Sequence, residues 1–145
     1  MLFKAQDSSL QLEISHYEFP ADGGTPGSDD RNWLVLRGTY TEGDLVVKDS
    51  NSCLLTYELR EMTAGLKVLN AGIKDAYGSD FVEPFFEVSA QAAGEDCFAL
   101  DVSFALPNTL EDLDTAEFSG LLTRKELTDL IEELDKACEK FPDRD

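Results

Sequence analysis

The sequence has little of what catalysis or metal binding draws on. His16 is the single histidine in 145 residues, which excludes histidine-rich metal sites and leaves one candidate general base. The cysteines, Cys53, Cys97 and Cys138, are odd in number and form no CxxC pair. Neither a zinc knuckle nor a disulfide framework is expected, only reduced, mostly buried thiols. No apolar run approaches the roughly 18 residues of a membrane span, and the start, MLFKAQDSSL, lacks the basic region, apolar stretch and cleavage site of a secretion signal. A cytoplasmic protein without membrane contact is expected.

Bases are scarce as well. Twelve Lys and Arg face 30 Asp and Glu, a net charge of −18, and the resulting field repels a phosphate backbone, so direct nucleic-acid binding is not expected. The scarcity is local. From Asp75 to Thr123 there is no Lys or Arg at all, while eleven carboxylates occur: Asp75, Asp80, Glu83, Glu87, Glu95, Asp96, Asp101, Glu111, Asp112, Asp114 and Glu117. A surface of one sign speeds encounter with a basic partner; the competing reading is a solvated face that keeps the protein soluble.

What is present is an ordinary globular composition, 42% hydrophobic and 29% charged, at a length that predicts one domain over residues 1–145. Leu10, Leu12 and Ile14 alternate with polar residues, the period of a half-buried strand that extends through Tyr17 and Phe19. His16 falls on its inward line and reads as a partly buried structural histidine. ADGGTPGSDD, residues 21–30, is a polar loop. Trp33–Leu36, a Gly-containing turn at 41–44 and Leu45–Val47 read as a hairpin, with Cys53–Leu55 a short third partner.

Thr56 is placed to cap a helix whose Leu59, Met62, Leu66, Leu69 and Ile73 share one face. Phe81–Val88 reads as a further strand, at an edge or carrying a bulge, because Pro84 has no amide proton to give a ladder. Phe98, Leu100, Val102, Phe104 and Leu106 alternate strictly as the next strand, and Phe118–Leu122 forms a last short one. Thr123-Arg-Lys-Glu126 has the form of a capping box and opens a C-terminal helix carrying Leu127, Leu130, Ile131, Leu134, Cys138 and Phe141 to Pro142. The class is therefore α+β: a largely antiparallel sheet of about six to seven strands with two helices packed on it, the second at the C-terminus. No internal repeat is visible.

Local motifs for chemistry are weak. Gly23-Gly24-Thr25-Pro26-Gly27 lacks the spacing and lysine of a phosphate loop and is followed by Asp29 and Asp30. The run from Asp49 lacks the central Gly and closing Glu of a calcium loop. A pairing of His16 with Cys53 or Cys97 has no motif behind it. No catalytic residue, cofactor or metal ligand is assigned, and the protein is not expected to be an enzyme. The candidate partner-binding residues are Glu95, Asp96, Glu111, Asp112, Asp114 and Glu117. Tyr17, Phe19, Trp33, Phe85 and Phe86 are either core or interface anchors.

Several segments together resemble the WapI-type immunity proteins of bacteria: His16-Tyr17-Glu18-Phe19-Pro20, then Asn32-Trp33-Leu34-Val35-Leu36-Arg37-Gly38, then Cys53-Leu54-Leu55-Thr56-Tyr57-Glu58-Leu59, and the C-terminal helix closing on Phe141-Pro142. The resemblance covers most of the chain in order. It implies a cytoplasmic protein that neutralises the C-terminal domain of a contact-delivered toxin, often a basic nuclease. It carries no catalytic residue over. The alternative is a non-catalytic interaction module or homodimer whose acidity serves solubility.

Overall fold

The computed structural model describes residues 1–109 and 114–145. Among the described residues, eight strands and two α-helices follow one another as β1 (Leu2–Lys4), β2 (Ser8–Tyr17), β3 (Trp33–Glu42), β4 (Leu45–Leu55), α1 (Thr56–Asn70), β5 (Ala76–Gly78), β6 (Phe86–Ala92), β7 (Cys97–Ala105), β8 (Thr115–Thr123) and α2 (Arg124–Lys140). The strands form two four-stranded sheets of order β1-β2-β3-β4 and β5-β6-β7-β8, antiparallel at every pairing. The class is α+β with the second helix C-terminal, as the hydrophobic pattern predicts. The order is also a repeat, four strands then a helix, twice over, which the sequence does not display.

Several boundaries differ for identifiable reasons. Gly43, at φ +59°, leads the two-residue β3–β4 turn, as a type II′ hairpin requires. Cys53–Leu55 is not a separate strand but the end of β4, carried past a register shift opposite Leu34 and Val35. A similar shift between Ile14 and His16 turns β2 on its axis. It leaves His16 exposed, with its Nδ1 2.8 Å from Ser15 Oγ, and not on the inward line. Phe81–Phe85 lies outside any strand and β6 begins only at Phe86, past Pro84. At the other end, β8 is longer than expected and includes Glu117.

The cap of α1 is Leu55, not Thr56, and Glu58 closes it by accepting the Leu55 amide proton at 3.0 Å. Thr56 is instead buried and donates its hydroxyl to Asn32. Gly72, at φ +75°, ends the helix: its amide bonds Leu69 O and that of Ile73 bonds Val68 O, the pairing of a Schellman motif. Ile73 therefore falls outside the helix and is 74% exposed. In α2 the Thr123–Glu126 capping box forms in both directions, and Leu127, Leu130, Ile131 and Leu134 are buried. Each contributes about 1.5–3 kcal/mol by leaving water.

The inner faces of both sheets and the facing sides of both helices close over a common hydrophobic cluster. The helices pack on each other, with Lys67 Nζ 2.8 Å from Asp135. The sheets meet where Phe3 lies against Phe118, ring centroids 5.5 Å apart. Asn51 reaches across them to donate to Ala105 O at 3.0 Å. The outward faces of the sheets are left to solvent.

Candidate functional site

The outward positions of β6, β7 and β8 stand in cross-strand rows. Glu87, Ser103 and Glu117 are in register, then Ser89, Asp101 and Ser119, then Gln91, Ala99 and Leu121. Glu87, Ser89, Asp101, Glu117 and Ser119 are all exposed. They border a shallow concavity of about 470 Å³ on the face of the sheet. The Ser119 hydroxyl donates to the Asp101 carboxylate. Strands lie about 4.8 Å apart, so the carboxylates flanking Ser103 are separated by roughly 10 Å, close to one Debye length at 0.1 M salt. The row is tolerated, but nothing in it offsets the repulsion.

The matching face of the first sheet is different. There Glu13 is in register with Arg37 and Ser50, and Gln11 with Thr39 and Lys48, around a concavity of about 550 Å³. Opposite charges in register contribute about 0.2–1 kcal/mol per pair. A surface built only for solubility has the same use for such mixing on both sheets. The base-free composition of residues 75–123 thus becomes a face of one sign.

Of the carboxylates singled out from sequence, Glu117 lies on this face. Asp114 is exposed just before β8, its carbonyl accepting the Leu106 amide at 2.8 Å. Glu95 and Asp96 lie in the β6–β7 turn, where Gly94 and Asp96 both have positive φ. Asp96 is engaged within the chain, paired with Arg124, whose amide also bonds Asp96 O at 3.0 Å. Glu111 and Asp112 lie outside the described residues. Glu87 and Asp101 were not distinguished in the sequence from the other carboxylates of the stretch; strand register alone brings them to Glu117.

Elsewhere the chemistry is quiet. Cys53 is wholly buried, and burial, aided by the charges of Glu58 and Glu83, pushes its thiol up to about 12, so it is not a thiolate at neutral pH. All three cysteines are free. Among the described residues, no group of three or more His, Cys, Asp or Glu side chains is disposed to hold a metal ion. The Asp30 carboxylate accepts the Thr25 amide at 3.1 Å, occupying the glycine-rich loop from within. Of the aromatics, Phe86 is core, Tyr17, Trp33 and Phe85 are half-buried, and Phe19 is exposed. Among the described residues, no helix is long and apolar enough to cross a membrane.

Against known families, residues 1–142 match the model described as the immunity protein WapI-like family. The chain belongs to the WapI-like immunity protein family. Membership in the WapI-like family supports an immunity role and implies a toxin as the partner; such proteins are generally non-catalytic. No curated protein matches the chain. Among solved structures, a chain described as part of a guide-RNA-binding protein complex bound to a guide RNA aligns over 90% of this chain and 89% of its own, at 13% identity and a TM-score of 0.43. That likeness is too loose to bear on function.

Proposed function

We propose that the chain is a single-domain, cytoplasmic immunity protein that neutralises a basic, nuclease-type toxin domain by covering it with the outward face of the second sheet. The observation that supports this reading is the one-signed face itself. Glu87, Asp101 and Glu117 project from three adjacent strands with serines between them, in a stretch without Lys or Arg. Carboxylates so placed attract a basic surface over distance and hold it in register on contact. Leu121, 66% exposed at the end of the same face and in register with Ala99, supplies an apolar contact beside them. Glu95, Asp96, Asp114 and Glu117 belong to the same acidic footprint in this reading, and Glu111 and Asp112, outside the described residues, stay candidates by their charge alone. The free thiols of Cys53, Cys97 and Cys138 suit a reducing compartment.

The test is co-expression with the C-terminal domain of whatever protein is encoded immediately upstream of its gene, followed by co-purification and a growth-rescue assay. Rescue by the unaltered chain, lost when Glu87, Asp101 and Glu117 are all changed to Lys, supports both function and face. Rescue that survives the triple change moves the toxin site elsewhere. Neither complex nor rescue returns the chain to an interaction module or homodimer.

A further inference from the structure

The C-terminal residues lie in a slot made by segments distant in sequence. The Asn32 carboxamide, 9% exposed, reads the backbone of Arg144 in both directions. Its Oδ1 accepts the Arg144 amide at 2.7 Å, and its Nδ2 donates to the Arg144 carbonyl at 2.9 Å. This reproduces with a side chain the two-bond exchange between paired strands. The Arg144 guanidinium stands over the Tyr17 ring, 3.4 Å from its centroid, and donates to Phe19 O at 3.1 Å. Tyr17 donates its hydroxyl to Pro142 O. Arg60 pairs with Asp143, and Arg31 donates to Asp145 O at 3.1 Å. Asn32 Oδ1 also accepts the hydroxyl of Thr56, at the start of α1, at 3.1 Å.

Two features set this apart from ordinary packing of a chain segment. The contacts read a backbone, a guanidinium and an acidic side chain separately, as peptide-recognition sites do. Arg31, which donates to Asp145 O, also has its Nε buried without a partner among the described residues.

We propose that Tyr17, Phe19, Arg31, Asn32 and Arg60 form a binding slot for an extended peptide carrying an arginine next to an acid, and that residues 142–145 are its occupant in cis, a releasable strap. While seated, the strap ties the 18–32 loop, held at Phe19, Arg31 and Asn32, to α1, held at Arg60. Released, it frees the loop and leaves the slot open to a segment of the same chemistry.

The test is hydrogen exchange on the full chain carrying Arg144→Ala, read beside the fluorescence of Trp33, the single tryptophan and the neighbour of Asn32. Arg144 is a half-buried tail residue, so the sheets and helices stay folded in this variant. Amides of residues 18–32 are expected to exchange about tenfold faster or more, with those of α2 unchanged. Added acetyl-Pro-Asp-Arg-Asp is expected to restore protection and shift the Trp33 emission, while the same peptide with Ala for Arg does neither. Unchanged exchange in residues 18–32, or equal action of the two peptides, overturns the proposal.

Discussion

The ring of Phe104 on β7 lies over Gly38 on β3, so that a methyl group on Gly38 would come within 2.6 Å of the ring atoms. Phe104 is fully buried, and the contact is where the two halves of the repeat share their core. A side chain at residue 38 must displace either the ring or the strand. Gly38→Ala is therefore expected to destabilise the fold by about 1–3 kcal/mol through overpacking. Adding Phe104→Leu to it should recover part of the loss, because the smaller side chain vacates the space. Urea unfolding followed by Trp33 fluorescence measures both, and a second change that only adds to the damage would refute the contact as the cause.

Glu58 is a buried carboxylate, 3% exposed, with two backbone partners. One oxygen accepts the Leu55 amide at 3.0 Å and the other the Val82 amide at 2.8 Å. It thus caps α1 and pins the segment that leads into β6. Replacing it with Ala leaves two donors without acceptors, and the expected loss is about 3 kcal/mol. Gln keeps one acceptor and should lose less. Thermal melting of the two variants checks the order, Ala below Gln below the unaltered chain.

The elements that could be read from sequence are those whose partners are close along the chain. The capping box of α2 spans four residues and the alternation of β7 nine, so each carries its own signature. Other features depend on partners far away. β1 and β5 are three residues each and exist because β2 and β6 offer an edge to pair with. The inward expectation for His16 failed on one inserted residue, Ser15, which no period-2 count detects. Asn32 reads as an ordinary residue beside Trp33, since its partner Arg144 is 112 positions away. The acidic face was legible as a count of carboxylates but not as a place, because only pairing register decides which of them stand together.

Alkaline pH should loosen the packing between α1 and β5. Tyr77 lies against Gly65 of α1, and burial, with the charges of Glu61 and Glu58, raises its hydroxyl from 10.0 to about 12. Cys53 is raised from 9.0 to about 12 for the same chief reason. In both cases the folded chain holds the proton more tightly than the unfolded one. The stabilisation is therefore complete below about pH 9 and is lost progressively as pH rises to about 12. Denaturation midpoints recorded at intervals from pH 8 to 12 should fall across that window. Tyr77→Phe and Cys53→Ser should each flatten part of the fall, and a midpoint independent of pH would contradict the burial of both groups.

The contrast between the one-signed outward face of the second sheet and the mixed face of the first gives the sharpest test of how a basic partner is met. If the second sheet steers the encounter, the association rate with the toxin domain must fall as salt rises, because charges exposed to solvent are screened over about 10 Å at 0.1 M. Changing Glu87, Asp101 and Glu117 to Gln removes three charges while keeping size and most hydrogen bonding. The association rate at low salt should then fall by about tenfold and its salt dependence should weaken. Arg37→Gln and Lys48→Gln on the first sheet provide the control. They make the chain still more acidic, so a partner drawn by net charge alone would associate faster with them. A partner drawn to the second sheet should respond little. Stopped-flow association measured for both sets over a range of salt separates the two cases, and a larger response to the first-sheet changes would place the toxin on the mixed face.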